Sequence, residues 1–313
     1  MTYRKLRCKA VSTINLPHKL NTMIELKIAH KEFVDHLKGL NRSESTLIAY
    51  GKDIEQLVDY LEKNGLGKVN EIEISHLEAF MQKLQNENYT LKSISRKTNS
   101  TKTFFKYLLD KNHIEKNVAD LLKHPKVEIK APRILSKLEY RALRDAARDD
   151  LRTYAIIETL LQTGITISEL ATMKMEYTNL ESTPGNLFVP TKNNKTSRNI
   201  PLNRAVVDAL KKYIEEERPK ITEAKYVFIT KTGKPLLIRN IRSTVQRFYA
   251  LAGVENAKVN DLRHTFVAHH LANGTNLLQV SKIAGHMRIS TTERYLEYIQ
   301  RETQEEKTEL GIL

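Results

Sequence analysis

The chain has 313 residues, with 51 Lys and Arg against 37 Asp and Glu, for a formal charge of +14 at pH 7. That length suits two domains of about 100–200 residues rather than one, and a 40% hydrophobic content excludes general disorder. No apolar run reaches the roughly 18–20 residues of a membrane helix; the best stretch, Ala155 to Leu161, is broken by Glu158. No apolar block follows the basic amino terminus, so a secretory signal is not expected and a cytoplasmic, nucleoid-associated location is. The single Cys8 excludes an internal disulfide and a cysteine-based zinc site. A large positive excess points to a polyanion, because contact with phosphates releases counterions. Solvated lysines on a basic protein give the same total, so the distribution of charge has to decide.

Residues 1–22 hold Arg4, Lys5, Arg7, Lys9 and Lys19 with no acid and read as a basic arm. Residues 23–123 are helical in pattern. Ser43 and Ser45 offer N-caps, and Leu47, Tyr50, Ile54, Leu57, Val58 and Leu61 share one helical face. Asn64-Gly65 ends that helix, Ser75 is expected to cap one reaching Leu84, and a third is expected over Ser93 to Leu109. Between Glu87 and Asp110 the sequence holds Lys92, Arg96, Lys97, Lys102 and Lys106 without an acid, and Ile94, Phe104, Phe105, Leu108 and Leu109 for burial. A solvated helix normally mixes both signs, so these five cations are expected to face a DNA backbone.

Residues 124–134 form a proline-flanked basic linker with Lys126, Lys130 and Arg133, again expected on DNA. Beyond it, Ser136-x-x-Glu139 is a capping-box pattern, and Tyr154 to Leu161 is apolar enough for a buried helix. Leu187 to Val189 and Asn199 to Leu202 read as short strands around a turn that holds Lys192, Lys195 and Arg198. Helices are expected at Ala205–Glu217, Arg239–Ala252, Leu262–Ala272 and between Gln304 and Leu310. The expected fold is mainly α with a small β-sheet, with a second domain over 135–300 and a tail over 301–313.

Three motifs then fall in order: Asp261-Leu262-Arg263-His264-Thr265-Phe266, Ala284-Gly285-His286, and Thr292-Glu293-Arg294-Tyr295. The tyrosine stands nine residues beyond the histidine (295 − 286). In this order and spacing the chain resembles the tyrosine recombinase, or phage integrase, family. Thr163-Gly164-Ile165-Thr166-Ile167-Ser168-Glu169-Leu170 and Ser45-Thr46-Leu47-x-x-Tyr50-x-x-Asp53 extend the likeness over most of the chain.

The resemblance implies a helical, SAM-like core-binding domain and a catalytic-type domain that close around double-stranded DNA. It implies a tyrosine that attacks a phosphodiester, two arginines that clamp the phosphate oxygens, a turn lysine that protonates the leaving oxygen, and no metal or other cofactor. On that pattern Tyr295 is the nucleophile position, Arg263 the second arginine, His286 the late histidine and Lys192 the turn lysine. The turn is one residue longer than is common, so Lys195 competes with Lys192. Two positions depart from the family. Thr166 stands where the first arginine belongs, and Asn260 replaces a histidine two residues before the Leu-Arg pair. A threonine cannot make the bidentate contact of a guanidinium, and Tyr295 then serves attack, packing or a hydrogen bond to DNA.

With the cations retained and the chemistry incomplete, the expected function is site-specific DNA binding by a non-recombining regulator, a repressor of a phage or mobile element. The helix opening with Arg239, Asn240 and Arg242 is expected to read bases. The alternative is an active recombinase in which Arg198, Arg288 or Arg294 replaces the missing arginine. A monomer and a homo-oligomer on DNA both stay open, as do cis and trans docking of the tail that ends Leu310-Gly311-Ile312-Leu313.

Overall fold

Patterned apolar faces set the first domain. In the computed structural model, residues 24–40, 42–128, 131–191 and 196–306 are described, with side chains to residue 299. They form two compact units that part after residue 129. In the first unit α1 (Leu26–Gly39), α2 (Glu44–Lys63), α3 (Ile74–Asn86) and α4 (Leu91–Asp110) each turn one face inward. Ser43 caps α2, accepting from the Thr46 N–H at 3.2 Å, and Asn64 with left-handed Gly65 ends it.

Two starts differ from expectation. α4 begins at Leu91 because Thr90, rather than Ser93, supplies its cap; the Ser93 N–H donates to Thr90 Oγ1 at 3.3 Å. α3 begins at Ile74, with Glu73 rather than Ser75 in the cap position. Phe33, Phe104 and Phe105 form the centre of the core, Phe33 and Phe104 meeting edge to face at 5.2 Å. Burial of each such ring contributes about 1.5–3 kcal/mol. Leu109, expected inside, stays exposed.

The second unit comprises α5 (Lys137–Ala146), α6 (Leu151–Thr163), α7 (Ile167–Ala171), β1 (Thr178–Asn179), β2 (Gly185–Val189), β3 (Arg198–Leu202), α8 (Arg204–Lys212), α9 (Ile238–Leu251), α10 (Val259–Ala272), α11 (Leu277–Ala284) and α12 (Ser290–Glu306). The Ser136–Glu139 capping box starts α5. The strands form one antiparallel sheet in the order β1-β2-β3, with Leu187 opposite Ile200 and Val189 opposite Arg198. Alternate residues of β2 face the core. α6 runs through that core. Its Glu158, which interrupts the apolar run, is fully buried and pairs with Arg144, as a buried charge requires.

Two helices exceed the sequence expectation. α11 was not expected, and of the helix placed between Gln304 and Leu310 the described part, residues 304–306, is the end of α12, which already starts at Ser290 and carries Tyr295. The arm cations Arg4, Lys5, Arg7, Lys9 and Lys19, together with Lys130, Lys192, Lys195 and residues 307–313, lie outside the described residues. Among the described residues no helix is long and apolar enough to cross a membrane.

Candidate catalytic and DNA-facing site

Two left-handed glycines shape the site. Gly164 ends α6 at φ +62°, and a Cβ there would run into the Phe266 ring. Gly285 ends α11 at φ +70°, where a Cβ would lie 2.7 Å from the Arg198 guanidinium. Only glycine fits either turn. Each turn aims backbone carbonyls at an arginine. Arg263, buried on α10, donates through Nη1 to Gly164 O and to Ala284 O, the latter at 2.6 Å. Its Nε and Nη2 have no hydrogen-bond partner among the described residues. Burial pulls its proton affinity below the usual arginine range, while nearby Glu169 and Tyr295 oppose that pull.

Arg198, at the start of β3, donates Nε to Ile283 O at 2.8 Å and both terminal nitrogens to the Glu169 carboxylate at 3.0 Å each. Consecutive carbonyls of α11 thus hold two guanidiniums at the helix end where the dipole favours cations. Glu169 is shared: its Oε2 also accepts from the Thr166 N–H at 2.8 Å, and the Glu169 N–H donates to Thr166 Oγ1 at 3.3 Å. Thr166 is therefore the N-cap of α7. Its hydroxyl is committed to its own helix.

Tyr295 is 5% exposed. His264 Nδ1 lies 2.5 Å from its hydroxyl, and the Asn260 amide lies 2.7 Å from His264 Nε2. With Asn260 Nδ2 donating, Nε2 is the bare nitrogen and Nδ1–H donates to the phenol oxygen. Burial holds His264 below the usual histidine pKa and pushes Tyr295 up to about 12, Arg263 pulling the tyrosine back. At neutral pH this is a neutral imidazole beside a neutral phenol. His286 stacks over Tyr295 with ring centroids 6.3 Å apart, and its Nδ1 is 2.7 Å from Thr292 Oγ1. The His286 N–H closes the turn onto Ser281 O at 3.0 Å.

Tyr295, Arg263, His286, Thr166 and Asn260 are thus brought together. In the sequence His264 belongs only to the Leu-Arg-His triplet; its position four residues after Asn260 on one helical face is the local signal that pairs the two.

The expected DNA-binding residues divide. Lys92, Lys106, Lys126, Arg239, Asn240 and Arg242 are exposed. Lys97 is not on a DNA face: it is 5% exposed, with Nζ 2.8 Å from Asp53 Oδ1 and 2.6 Å from Gln56 Oε1. Spacing cannot distinguish a cation on the outer face from one turned toward an acid on a neighbouring helix. Arg96 is half-exposed but also pairs with Asp53, and Lys102 Nζ donates to Asp120 O at 3.1 Å. Arg133 is drawn back onto Glu139 and Glu255 O. Arg198 is neutralised by Glu169 and offers no free charge to a backbone. No group of three metal-ligating side chains occurs among the described residues.

Residues 132–301 match the phage integrase family, and residues 31–112 match the phage integrase N-terminal SAM-like domain. The tyrosine recombinase XerC of Natranaerobius thermophilus is 31% identical over 277 residues, covering 84% of this chain and 92% of the relative. The tyrosine recombinase XerD of Staphylococcus epidermidis is 30% identical, covering 88% and 94%. The XerH site-specific recombinase bound to its palindromic difH substrate superposes with a TM-score of 0.72 at 17% identity, covering 91% of this chain and 84% of that one. The Tn1549 transposon integrase with transposon right end DNA gives 0.71 at 18%, covering 90% and 99%. With both of its domains matched in order, this chain belongs to the phage integrase family of tyrosine recombinases.

Proposed function

We propose that this chain occupies a defined site on double-stranded DNA and acts there as a regulator, a repressor in a phage or mobile element, without completing strand cleavage. DNA as the partner is supported by structural neighbours that were solved on DNA and by the exposed cluster Arg239, Asn240 and Arg242. The loss of cleavage rests on one observation: the hydroxyl of Thr166 caps α7 where the family places a phosphate-clamping guanidinium. Arg198 does not restore the clamp, because its fork is engaged by Glu169. Removal of one transition-state donor costs about 10²–10³ in rate, and the missing group here is charged. Occupancy alone blocks a promoter.

A second reading, an active recombinase, is favoured by the relatives' names at 30–31% identity and by the assembled Tyr295, His264, His286 and Arg263. A duplex nicked beside the scissile linkage separates the two, since departure of the short strand traps a covalent adduct. The regulator reading expects no adduct from the natural chain. It expects one from the Thr166→Arg, Asn260→His double variant, absent again when Tyr295→Phe is added. A Tyr295-dependent adduct from the natural chain establishes the recombinase instead.

A further inference from the structure

Beside Thr166 lies a cleft of about 300 Å³ whose polar lining is Arg242, Gln246, Lys258, Asn260 and Arg263, with Ile165 and Ile167 forming its apolar floor. Three cations and two amides line it, with no carboxylate among the described residues. The acid of the first α10 turn, Asp261, is buried and caps the Lys258 backbone N–H at 2.7 Å. The side chains of Arg242 and Lys258 are exposed and have no partner among the described residues. Arg263 also lines the cleft, and among the described residues its hydrogen bonds run through Nη1 alone. Convergent cations without counter-charges favour an anion, since each would otherwise repel the others.

We infer that Lys258 and Arg242 hold a DNA phosphodiester in this cleft with Arg263, supplying the positive charge that position 166 does not. The inference rests on the DNA-binding reading above. Arg198 is excluded from this role by its carboxylate partner, whereas Lys258 and Arg242 have none among the described residues. The substitution also explains how holding and cleaving separate. The Lys258 ammonium is a point charge that attracts a phosphate in many orientations, and the Arg242 fork comes from α9 rather than from the start of α7, where the clamp of the family places its own. The cleft retains affinity for the phosphate without rebuilding the geometry of the transition state.

The test uses the full chain and a duplex recovered by it from a random-sequence pool, carrying a single neutral methylphosphonate at each backbone position in turn. One linkage should weaken wild-type binding by about 10-fold or more when neutralised. In Lys258→Ala, Arg242→Ala protein the same neutralisation should cost about 3-fold or less, because two of the three cations are already gone and Arg263 alone remains. The variant's salt slope should also fall by about one per cation lost. Both side chains are exposed, and Lys258→Arg should preserve the coupling. A recovered duplex that the double variant binds like wild type, or that shows no coupled linkage, overturns the inference alone. A pool from which no preferred duplex emerges sinks the DNA-site reading and the inference with it.

Discussion

On α4, Lys97 is buried between Asp53 and Gln56, and Arg96 leans onto the same carboxylate. On α9 and at the start of α10, Arg239, Arg242 and Lys258 are exposed and carry no ion pair among the described residues. Both regions are rich in cations in the sequence, and only the second offers them to a ligand. In the first, two cations, Ser100 Oγ at 3.0 Å and one buried carboxylate form a network inside the domain. A net charge of +14 is thus a sum over charges spent on folding and charges left for binding, and the spent ones contribute almost nothing to a distant field.

The strongest way to break this comparison is at Asp53. Asp53→Ala strands Lys97 in the interior and should lower the stability of the first domain by about 3–5 kcal/mol in urea unfolding. Asp53→Leu with Lys97→Met should recover most of that loss. An unchanged midpoint in the single variant means that Lys97 is not held by Asp53.

Gly164→Ala comes next, since Arg263 stands between the two cases, with one nitrogen spent on carbonyls and the rest available. A side chain at φ +62° that also meets Phe266 should cost about 2–4 kcal/mol in thermal or urea unfolding. A wild-type melting curve would show that the turn tolerates a Cβ and that it does not require glycine to reach Arg263.

For the exposed group, Asn240→Ala should cost about 1–3 kcal/mol on a preferred duplex and relax one base position. Lys97→Met, while folded, should leave Kd unchanged. Equal losses in both would erase the distinction between the two regions, and a titration of each variant against the same duplex decides it.

The smallest effect is a pH dependence. Burial depresses the pKa of His264 in the fold, so the folded state favours neutral imidazole over the unfolded chain, whose histidine titrates near pH 6.5. The stability gained from His264 is therefore full above about pH 6.5 and lost as pH falls through the lower folded value. His264→Gln should flatten the decline in Tm between pH 7.5 and 5.5; a parallel decline in both proteins assigns it elsewhere.

Much of the fold was legible because its signals are local. Ser43 and Ser136 cap the helices expected of them, and the strand pair at Leu187 and Ile200 follows from alternation. The family was legible too, because the order and spacing of Arg263, His286 and Tyr295 carry the resemblance, and the fold brings these three residues together. Starts at Thr90 and Glu73 were misplaced by a few residues because several polar residues compete for each cap. α11 escaped notice because Leu277–Ala284 is short and follows another helix after a glycine, leaving little periodicity to detect. His264 was read past because its function depends on a partner 31 residues away on α12.

By itself the sequence determined the family and the mainly helical plan with a small sheet, because residue identities at fixed spacing need no coordinates. Tertiary structure decided what each charge faces. Lys97 and Arg198 lie in basic stretches yet end on Asp53 and Glu169, while Lys258, which no motif marks, ends in a cleft with Arg242 and Arg263. A charge's use depends on which opposite charge folding brings within a few ångströms, and that partner lies tens of residues away along the chain.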